Sequence, residues 1–234
     1  TGAPISRYLE VHKNYLFYWN GIGAGNRSRL QWSNRGDGDT YTSTNFEDIF
    51  PNEGAQGTGM RSFGDELILF KGPIGNSESF ERSSMFRIIG DTFDQTNPTF
   101  YIERIPLPVG VGCVHGRTAR VYGDALFFST NAGVFAYLGG GRIPIRISDS
   151  IKGDIVDLGS SLNNFWMTAE GGTANVTARS CATVFDDKYL LSVSTTKDSA
   201  DSGTNRIYVY ENGKWWVDIL SEGADDYQAG ASTG

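Results

Sequence analysis

The residues best suited to chemistry are acidic side chains that alternate with glycine early in the chain. Residues 34–39 read Asn-Arg-Gly-Asp-Gly-Asp, and Asp37 and Asp39 resemble the first oxygen ligands of a calcium loop, which converge on one hard cation. The glycine and the closing glutamate of an EF-hand do not follow at their required positions, although Glu47 and Asp48 are available as substitutes. We therefore favour a solvated turn over a metal site.

Paired carboxylates could also support glycoside hydrolysis, which needs two acids several ångströms apart. Asp154 with Asp157, and Asp198 with Asp201, form such pairs. None stands out among the 27 acidic residues of the chain, and the Asp-box repeat of sialidase blades is absent. The sequence therefore favours no pair as a catalytic site.

Histidine and cysteine each occur only twice. A nucleophilic triad needs a base, and His12 and His115 are isolated histidines of the kind that usually lie at a surface or have their bonds satisfied. Cys113 and Cys181 have no metal-ligand spacing with them. We predict two buried, reduced thiols, with a disulfide as the alternative. We expect no catalytic residue, no cofactor and no metal site, and we expect that the chain is not an enzyme.

Five tryptophans offer flat rings on which a sugar could stack. Large aromatic side chains also fill the space between packed sheets, and we favour that role. The five residues are Trp19, Trp32, Trp166, Trp215 and Trp216.

Composition narrows the possible partners. The formal net charge of -7 leaves no positive surface for gripping DNA phosphates, although an acidic wall could let DNA slide past. No apolar run is long enough for a membrane span, and the first residues do not resemble a signal peptide. The 30 glycines and the 13% of aromatic residues indicate many turns and many strands.

The elements that must position these residues are clearest in residues 121–138. Gly123 and Asp124 form a two-residue turn typical of a β-hairpin, because both tolerate positive φ. Leu126–Phe128 is short, apolar and aromatic, which predicts a strand buried on both faces. Residues 134–138 return as another strand. Asn212 and Gly213 predict a second such hairpin, with a type I′ turn.

The same layout recurs at intervals of about 50 to 60 residues, which is typical of β-propeller blades. The aligned positions are Leu16, Leu67, Leu126 and Tyr189. We predict an all-β chain that forms a β-propeller of antiparallel four-stranded blades, in one domain over residues 1–234. The approximate blades are 5–52, 53–110, 111–170 and 171–234.

Four blades could close a ring alone or form part of a larger one. Residues 34–51 are interpreted as a long connection between blades, and 53–59 as a flexible piece. We expect a strand near the central axis at 109–113 and an outer strand at 163–167. Residues 230–234 look like the start of a further blade.

Several stretches resemble the propeller domains of bacteriophage tail proteins. Residues 8–16 (YLEVHKNYL) and 26–33 (NRSRLQWS) resemble the opening of such domains, and residues 60–71 (MRSFGDELILFK) continue the resemblance. Residues 111–134 extend it with VGCV, GDALFFS and GV. The similarity covers most of residues 5–150 and is closest to the tail-nozzle, or packaged-DNA-stabilising, proteins of short-tailed phages, which are much longer chains.

The resemblance implies a structural virion component, located in the tail and assembled in the cytoplasm of a bacterial host. It implies a homo-oligomeric ring around the DNA exit channel, which retains and ejects DNA without sequence-specific binding. The implied partners are other tail proteins, on the portal or adaptor side and among the fibres or spikes. The alternatives are a carbohydrate- or protein-binding propeller, such as a host-surface adhesin, and a propeller hydrolase.

Overall fold

The computed structural model describes residues 4–22, 24–53, 55–73, 84–91, 93, 99–108, 113, 116–130, 132–151, 181–193 and 206–219. Throughout these ranges the chain forms strands joined by turns, with short 3-10 turns and no α-helix. The prediction of an all-β chain is confirmed. In this part of the chain no helix has the length and apolar character that crossing a membrane would require.

Sixteen strands run through the described residues, and they form four antiparallel sheets of four strands each. Strands that are neighbours in sequence are neighbours in each sheet. Sheet 1 contains β1 (Ser6–His12), β2 (Tyr15–Gly21), β3 (Arg29–Trp32) and β4 (Phe46–Asp48). Sheet 2 contains β5 (Ala55–Phe63), β6 (Glu66–Pro73), β7 (Ser84–Gly90) and β8 (Phe100–Ile105). Sheet 3 contains β9 (Arg120–Tyr122), β10 (Ala125–Thr130), β11 (Gly133–Tyr137) and β12 (Ile145–Arg146). Sheet 4 contains β13 (Cys181–Phe185), β14 (Lys188–Val193), β15 (Arg206–Glu211) and β16 (Lys214–Ile219).

A two-residue turn joins the first two strands of every sheet. The turn at Gly123 has positive φ at the glycine alone, as a type II′ turn requires, and Tyr122 pairs with Ala125 across it. Asn212 and Gly213, between β15 and β16, both have positive φ, as in a type I′ turn. The two hairpins predicted from these residue pairs are therefore confirmed.

Three apolar cores hold the sheets together, one between each pair of consecutive sheets. We call them the first junction (sheets 1 and 2), the second junction (sheets 2 and 3) and the third junction (sheets 3 and 4). β6 serves two of them, because Leu67 and Leu69 face the first junction and Ile68 and Phe70 face the second. β10 is likewise buried on both faces, as its apolar sequence predicts.

The first strands of the four sheets lie close to one another. β1 contacts β5, and the 3-10 turn Gly116–Thr118, which leads into β9, contacts both β5 and β13. β9 also contacts β13. The fourth strands lie on the far side of each sheet, since each sheet is a simple meander from first strand to fourth.

Two segments interpreted as irregular are strands instead. Residues 53–59 are not flexible as expected: Ala55–Gly59 is the buried first half of β5, where glycine permits close approach of other chain segments. Residues 34–51 are not purely a connection between blades, because Phe46–Asp48 pairs with β3 as the edge strand of sheet 1. Its three residues are too few to show a strand-like alternation.

Other predictions fall outside the described residues. They are most of the expected axial strand at 109–113, the outer strand at 163–167 and the further blade at 230–234. The blade boundaries and the single-domain assignment stay predictions.

Candidate functional site

A buried lysine crosses the first junction. Lys71, at the end of the apolar run of β6, is fully buried, and its Nζ donates hydrogen bonds of 2.7 Å to the carbonyl oxygens of Ile49 and Phe50. These two carbonyls directly follow β4, the last strand of sheet 1. The lysine therefore ties the edge of one sheet to the centre of the next, and nothing in its local sequence distinguishes it from an exposed strand residue.

His12 lies at the other end of the same junction, between β1 and β5. Its Nδ1 is 2.8 Å from Ser62 Oγ, while its buried Nε2 has no hydrogen-bond partner among the described residues. Burial, and then the charge of Lys13, lower the pKa of the imidazole. His12 is therefore a buried histidine whose Nδ1 is bonded to the neighbouring sheet.

A Ser-His contact alone does not make a nucleophilic site. Glu10 also contacts Ser62. Its carboxylate accepts a 3.0 Å hydrogen bond from the backbone N–H of Ser62 and a 3.3 Å hydrogen bond from Arg61 Nη1. The carboxylate thus contacts the backbone of Ser62 and does not orient the imidazole, as the third member of a triad would. This group of side chains fastens β1 to β5.

Charged and phenolic groups also meet at the second junction. Glu66 of sheet 2 accepts hydrogen bonds from Arg87 Nη1 (2.6 Å), from the Tyr137 hydroxyl of sheet 3 (2.6 Å) and from the backbone N–H of Gly140 (3.0 Å). Burial, and then the bond to Glu66, raise the pKa of Tyr137. Three donors, from its own and the neighbouring sheet, bind this carboxylate, so Glu66 ties sheet 2 to sheet 3.

Backbone meets backbone where β5 passes the turn before β9. A methyl group added at Gly59 would overlap the Gly116 backbone, and one added at Gly116 would overlap Gly59 and Thr58. The Thr58 hydroxyl donates to the Cys113 carbonyl oxygen at the same place. Only glycine permits so close an approach of the first strand of sheet 2 to sheet 3.

The predicted calcium-like segment forms an exposed turn. The carboxylate of Asp37 accepts hydrogen bonds from the Thr40 hydroxyl (2.6 Å) and from the backbone N–H of Asp39 (3.1 Å). The Thr40 bond is the main reason that the pKa of Asp37 is lowered. Asp48, offered as a substitute ligand, instead forms a two-pronged ion pair with Arg29, at 2.7 and 2.8 Å. The segment is therefore an exposed turn closed by its own hydrogen bonds, and the preference for a solvated turn over a metal site stays a prediction.

The remaining candidate ligands do not converge. Cys113 and Cys181 are free thiols, Cys113 buried as predicted but Cys181 exposed, so the prediction of two buried thiols is wrong for the second. Cys181 begins β13, the first strand of sheet 4, which contacts β9 and the turn Gly116–Thr118. No group of three or more His, Cys, Asp or Glu residues that could hold a metal ion occurs in the described ranges. His115 and the acidic pairs 154/157 and 198/201 fall outside those ranges.

Tryptophans mostly pack between sheets, as we favoured. Trp19 and Trp32 are fully buried in the first junction, and Trp215 packs against the third. Trp216 is 42% exposed on the outer face of sheet 4, and Trp166 lies outside the described residues. One exposed indole does not form a stacking platform by itself.

The sheet series ends in two outer faces on which large apolar side chains are exposed. On sheet 1, Leu9 and Val11 of β1 are 58% and 66% exposed. On sheet 4, Phe185 is 71% exposed, and Trp216 lies on the same face because the register pairs Thr183, Leu190, Val209 and Trp216 across the sheet. We call these the end faces.

A cleft of about 450 Å³ opens at one end of sheet 1. Ile5 and Ile22, joined by a 3.1 Å backbone hydrogen bond, form its apolar side, and Tyr41 stands on the loop between β3 and β4. The polar side consists of Asn26, Gln31, Thr42, Ser43 and Asn45. Sequence reasoning missed this cleft, because its residues come from four separate segments and none belongs to a recognisable motif.

Comparisons with known proteins do not assign this chain to a family. The sequence matches no protein-family profile and has no match among curated proteins. The resemblance to phage tail proteins thus stays an expectation from the residues that carry it.

Proposed function

We propose that the four sheets are consecutive blades of a β-propeller. The support is the position of the first strands, which contact one another along the series from sheet 1 to sheet 4 while the fourth strands lie far from them. Sheets arranged radially around an axis have this geometry. A straight stack of aligned sheets would instead bring the first strands and the fourth strands together alike.

We propose further that the chain works as a structural subunit of a phage tail, forming an oligomer through which DNA passes, and that it is not an enzyme. The observation that supports this proposal is that the buried charged side chains bind neighbouring sheets. Lys71 and Glu66, the charged groups deepest in the junctions, bind backbone and side-chain groups of neighbouring sheets. The hydrogen bonds of these two side chains therefore hold the sheets together.

The end faces and the net charge fit the same role. Apolar residues exposed at both ends of the sheet series offer surfaces for further blades or for neighbouring subunits. A net charge of -7 suits a wall along which DNA moves without being held. In the virion, the implied neighbours are the portal or adaptor side and the fibres or spikes of the tail.

Electron microscopy of the purified 234-residue chain tests the architecture, and light scattering after size-exclusion chromatography tests the oligomer. We expect ring-shaped particles with radial blades and a mass that is a multiple of 25.6 kDa. A monomer whose sheets stack in a straight line would contradict the proposal.

Immunogold labelling of phage particles made from a genome that carries this sequence tests the location. We expect label at the tail vertex. Label on the capsid shell, or none on the particles while the chain accumulates in the host, would contradict the tail assignment.

A further inference from the structure

We propose that the cleft on sheet 1 binds a neutral saccharide of one or two rings. This inference stands independently of the tail assignment, because it depends on the lining of one cleft and on no oligomer. A volume of about 450 Å³ falls within the range of small-molecule sites.

The polar lining that the structure describes is uncharged. Asn26, Gln31 and Asn45 contribute amides, and Thr42 and Ser43 contribute hydroxyls. Each amide offers both a donor and an acceptor, which matches the paired hydroxyls of a sugar ring. A carboxylate or phosphate ligand would lose hydration here without gaining an opposite charge, so the lining favours a neutral polyol.

Some of this hydrogen-bonding capacity is not used by any described residue. The side-chain amides of Asn26 and Gln31 make no hydrogen bond to any residue that the structure describes. Asn45 and Thr42, in contrast, are held in place by hydrogen bonds of 3.3 and 3.2 Å to the Asn34 side-chain oxygen. The cleft thus combines fixed groups with groups that are available to a ligand.

The aromatic wall is preorganised. Tyr41 packs edge-on against the buried Tyr18 ring at 5.1 Å, and its hydroxyl donates to the Gly38 carbonyl oxygen. Gly38 in turn lies against Leu16. A ring fixed in this way can contact the C–H face of a sugar without losing rotamer freedom on binding. Ile5 and Ile22 provide further apolar contact.

The cleft also lies apart from the exposed apolar end of β1. Ile5 is six residues from Val11 along the strand, a distance of about 20 Å at the rise of a β-strand. A neighbour confined to Val11 therefore leaves the Ile5 side of the cleft open, whereas Gln31 shares its face of sheet 1 with Leu9.

Amide NMR of the full chain tests the proposal. The probes are methyl glucoside, methyl galactoside, N-acetylglucosamine and lactose, with glucose 6-phosphate and sialyllactose as charged counterparts. We expect saturable shifts at residues 41–45 with at least one neutral probe, and weaker binding of its charged counterpart. Absence of shifts with all neutral probes, tighter binding of the charged ones, or shifts confined to other parts of the chain would overturn the proposal.

Variants localise the binding. We expect Tyr41→Ala and Gln31→Leu each to weaken the affinity by about tenfold, through the lost ring face and the lost amide. Tyr41→Phe keeps the ring and should bind within about threefold of the parent, which separates stacking from loss of folding. Tyr101→Ala, at an exposed position on sheet 2, is the matched control and should bind unchanged. Equal binding by the parent and both the Gln31→Leu and Tyr41→Ala variants would overturn the assignment.

Discussion

The first and third junctions solve the same packing problem with different chemistry. Each fills the space between two four-stranded sheets, but charged and polar groups cross the first: Lys71 reaches two carbonyls, Glu10 reaches Ser62 and Arg61, and the indole of Trp19 donates to the Phe70 carbonyl oxygen at 3.2 Å. Most of these bonds end on backbone groups, so the first junction fixes the register of one sheet against the next.

Aromatic rings fill the third junction as they fill the first. Phe127 meets Tyr189 at 5.3 Å and Tyr210 at 5.2 Å, both nearly edge-on. The polar contacts described there are single bonds from ring groups to carbonyl oxygens, such as Tyr189 to Thr118 at 2.9 Å and Trp215 to Ile147 at 2.8 Å. One sheet pattern therefore accepts two kinds of junction, and the two should differ in how they respond to mutation and to pH.

The largest effect is expected at the buried indole of the first junction. Trp19→Ala removes a fully buried side chain and its hydrogen bond, and should lower the free energy of unfolding by about 3–5 kcal/mol, measured by urea denaturation. Trp216→Ala, at an exposed position on sheet 4, is the control and should cost less than about 1 kcal/mol. Equal losses in the two variants would mean that the first junction is not a packed core.

Replacing the buried lysine tests whether charge matters to the first junction. Lys71→Met keeps most of the side-chain volume but leaves two buried carbonyls without their charged donor, so we expect a loss of about 3 kcal/mol in the same assay. Lys214→Met, at the exposed start of β16, should be neutral within about 0.5 kcal/mol. A variant as stable as the parent would show that the free-energy cost of burying the lysine cancels the gain from its hydrogen bonds. The proposed difference between the first and third junctions would then be wrong.

The corresponding test at the third junction should give a smaller effect. Tyr189→Phe keeps the ring contacts and removes only the hydroxyl bond to the Thr118 carbonyl, so we expect a loss of about 1–2 kcal/mol in thermal or urea unfolding. Tyr101→Phe, at an exposed position, is the control and should show no change. A loss as large as that of Lys71→Met would indicate that hydrogen bonding, and not ring packing, governs both junctions.

Alkaline pH should weaken the third junction. Burial raises the pKa of Tyr189, so the folded protein keeps the proton at a pH where the unfolded chain, with tyrosine near its ordinary pKa of about 10, releases it. The stabilisation is complete below about pH 10 and falls as the pH rises further. Unfolding measured across this range should show a shallower decline in Tyr189→Phe than in the parent. Parallel declines would contradict the assignment of the effect to this residue.

Mild acid should weaken the first junction, with the smallest expected effect. Because burial and Lys13 lower the pKa of His12, the fold favours the neutral imidazole, while the unfolded chain takes up a proton near pH 6.5. The stabilisation is present above about pH 6.5 and is lost as the pH falls through the folded pKa. The drop in stability between about pH 7.5 and about pH 5.5 should shrink in His12→Asn. A drop that is unchanged in His12→Asn would point to other groups.

Local chemistry made part of the fold predictable. The turns at Gly123 and Asn212 could be recognised because few residue pairs accept the required φ angles, and the run Leu126–Phe128 could be placed in a core because it is apolar on both faces. The start of β5 could not. Gly57 and Gly59 look flexible in sequence. The strand needs glycine there because Trp19 lies against Gly57 and Gly116 lies against Gly59, which leaves no room for a side chain.

The candidate sites were harder to predict for a related reason. Lys71 and Glu66 are ordinary strand residues until a neighbouring sheet surrounds them, and the cleft brings together residues from four segments. Conversely, the acidic segment around Asp37 has a recognisable pattern, but the carboxylate of Asp37 accepts hydrogen bonds from a hydroxyl and an N–H group of the same segment. The pattern indicated a turn. It did not specify whether the carboxylate would bind a cation or the O–H and N–H groups nearby, because that depends on the folded chain.

The meander order of the strands has a consequence for biosynthesis. Every sheet is complete once its own contiguous stretch of chain has left the ribosome, and every junction forms as soon as the next sheet arrives. A nascent chain therefore has to protect only one growing apolar surface at a time, on its most recently made sheet. Translation itself can thus set the order in which the cores are filled, from the first to the third.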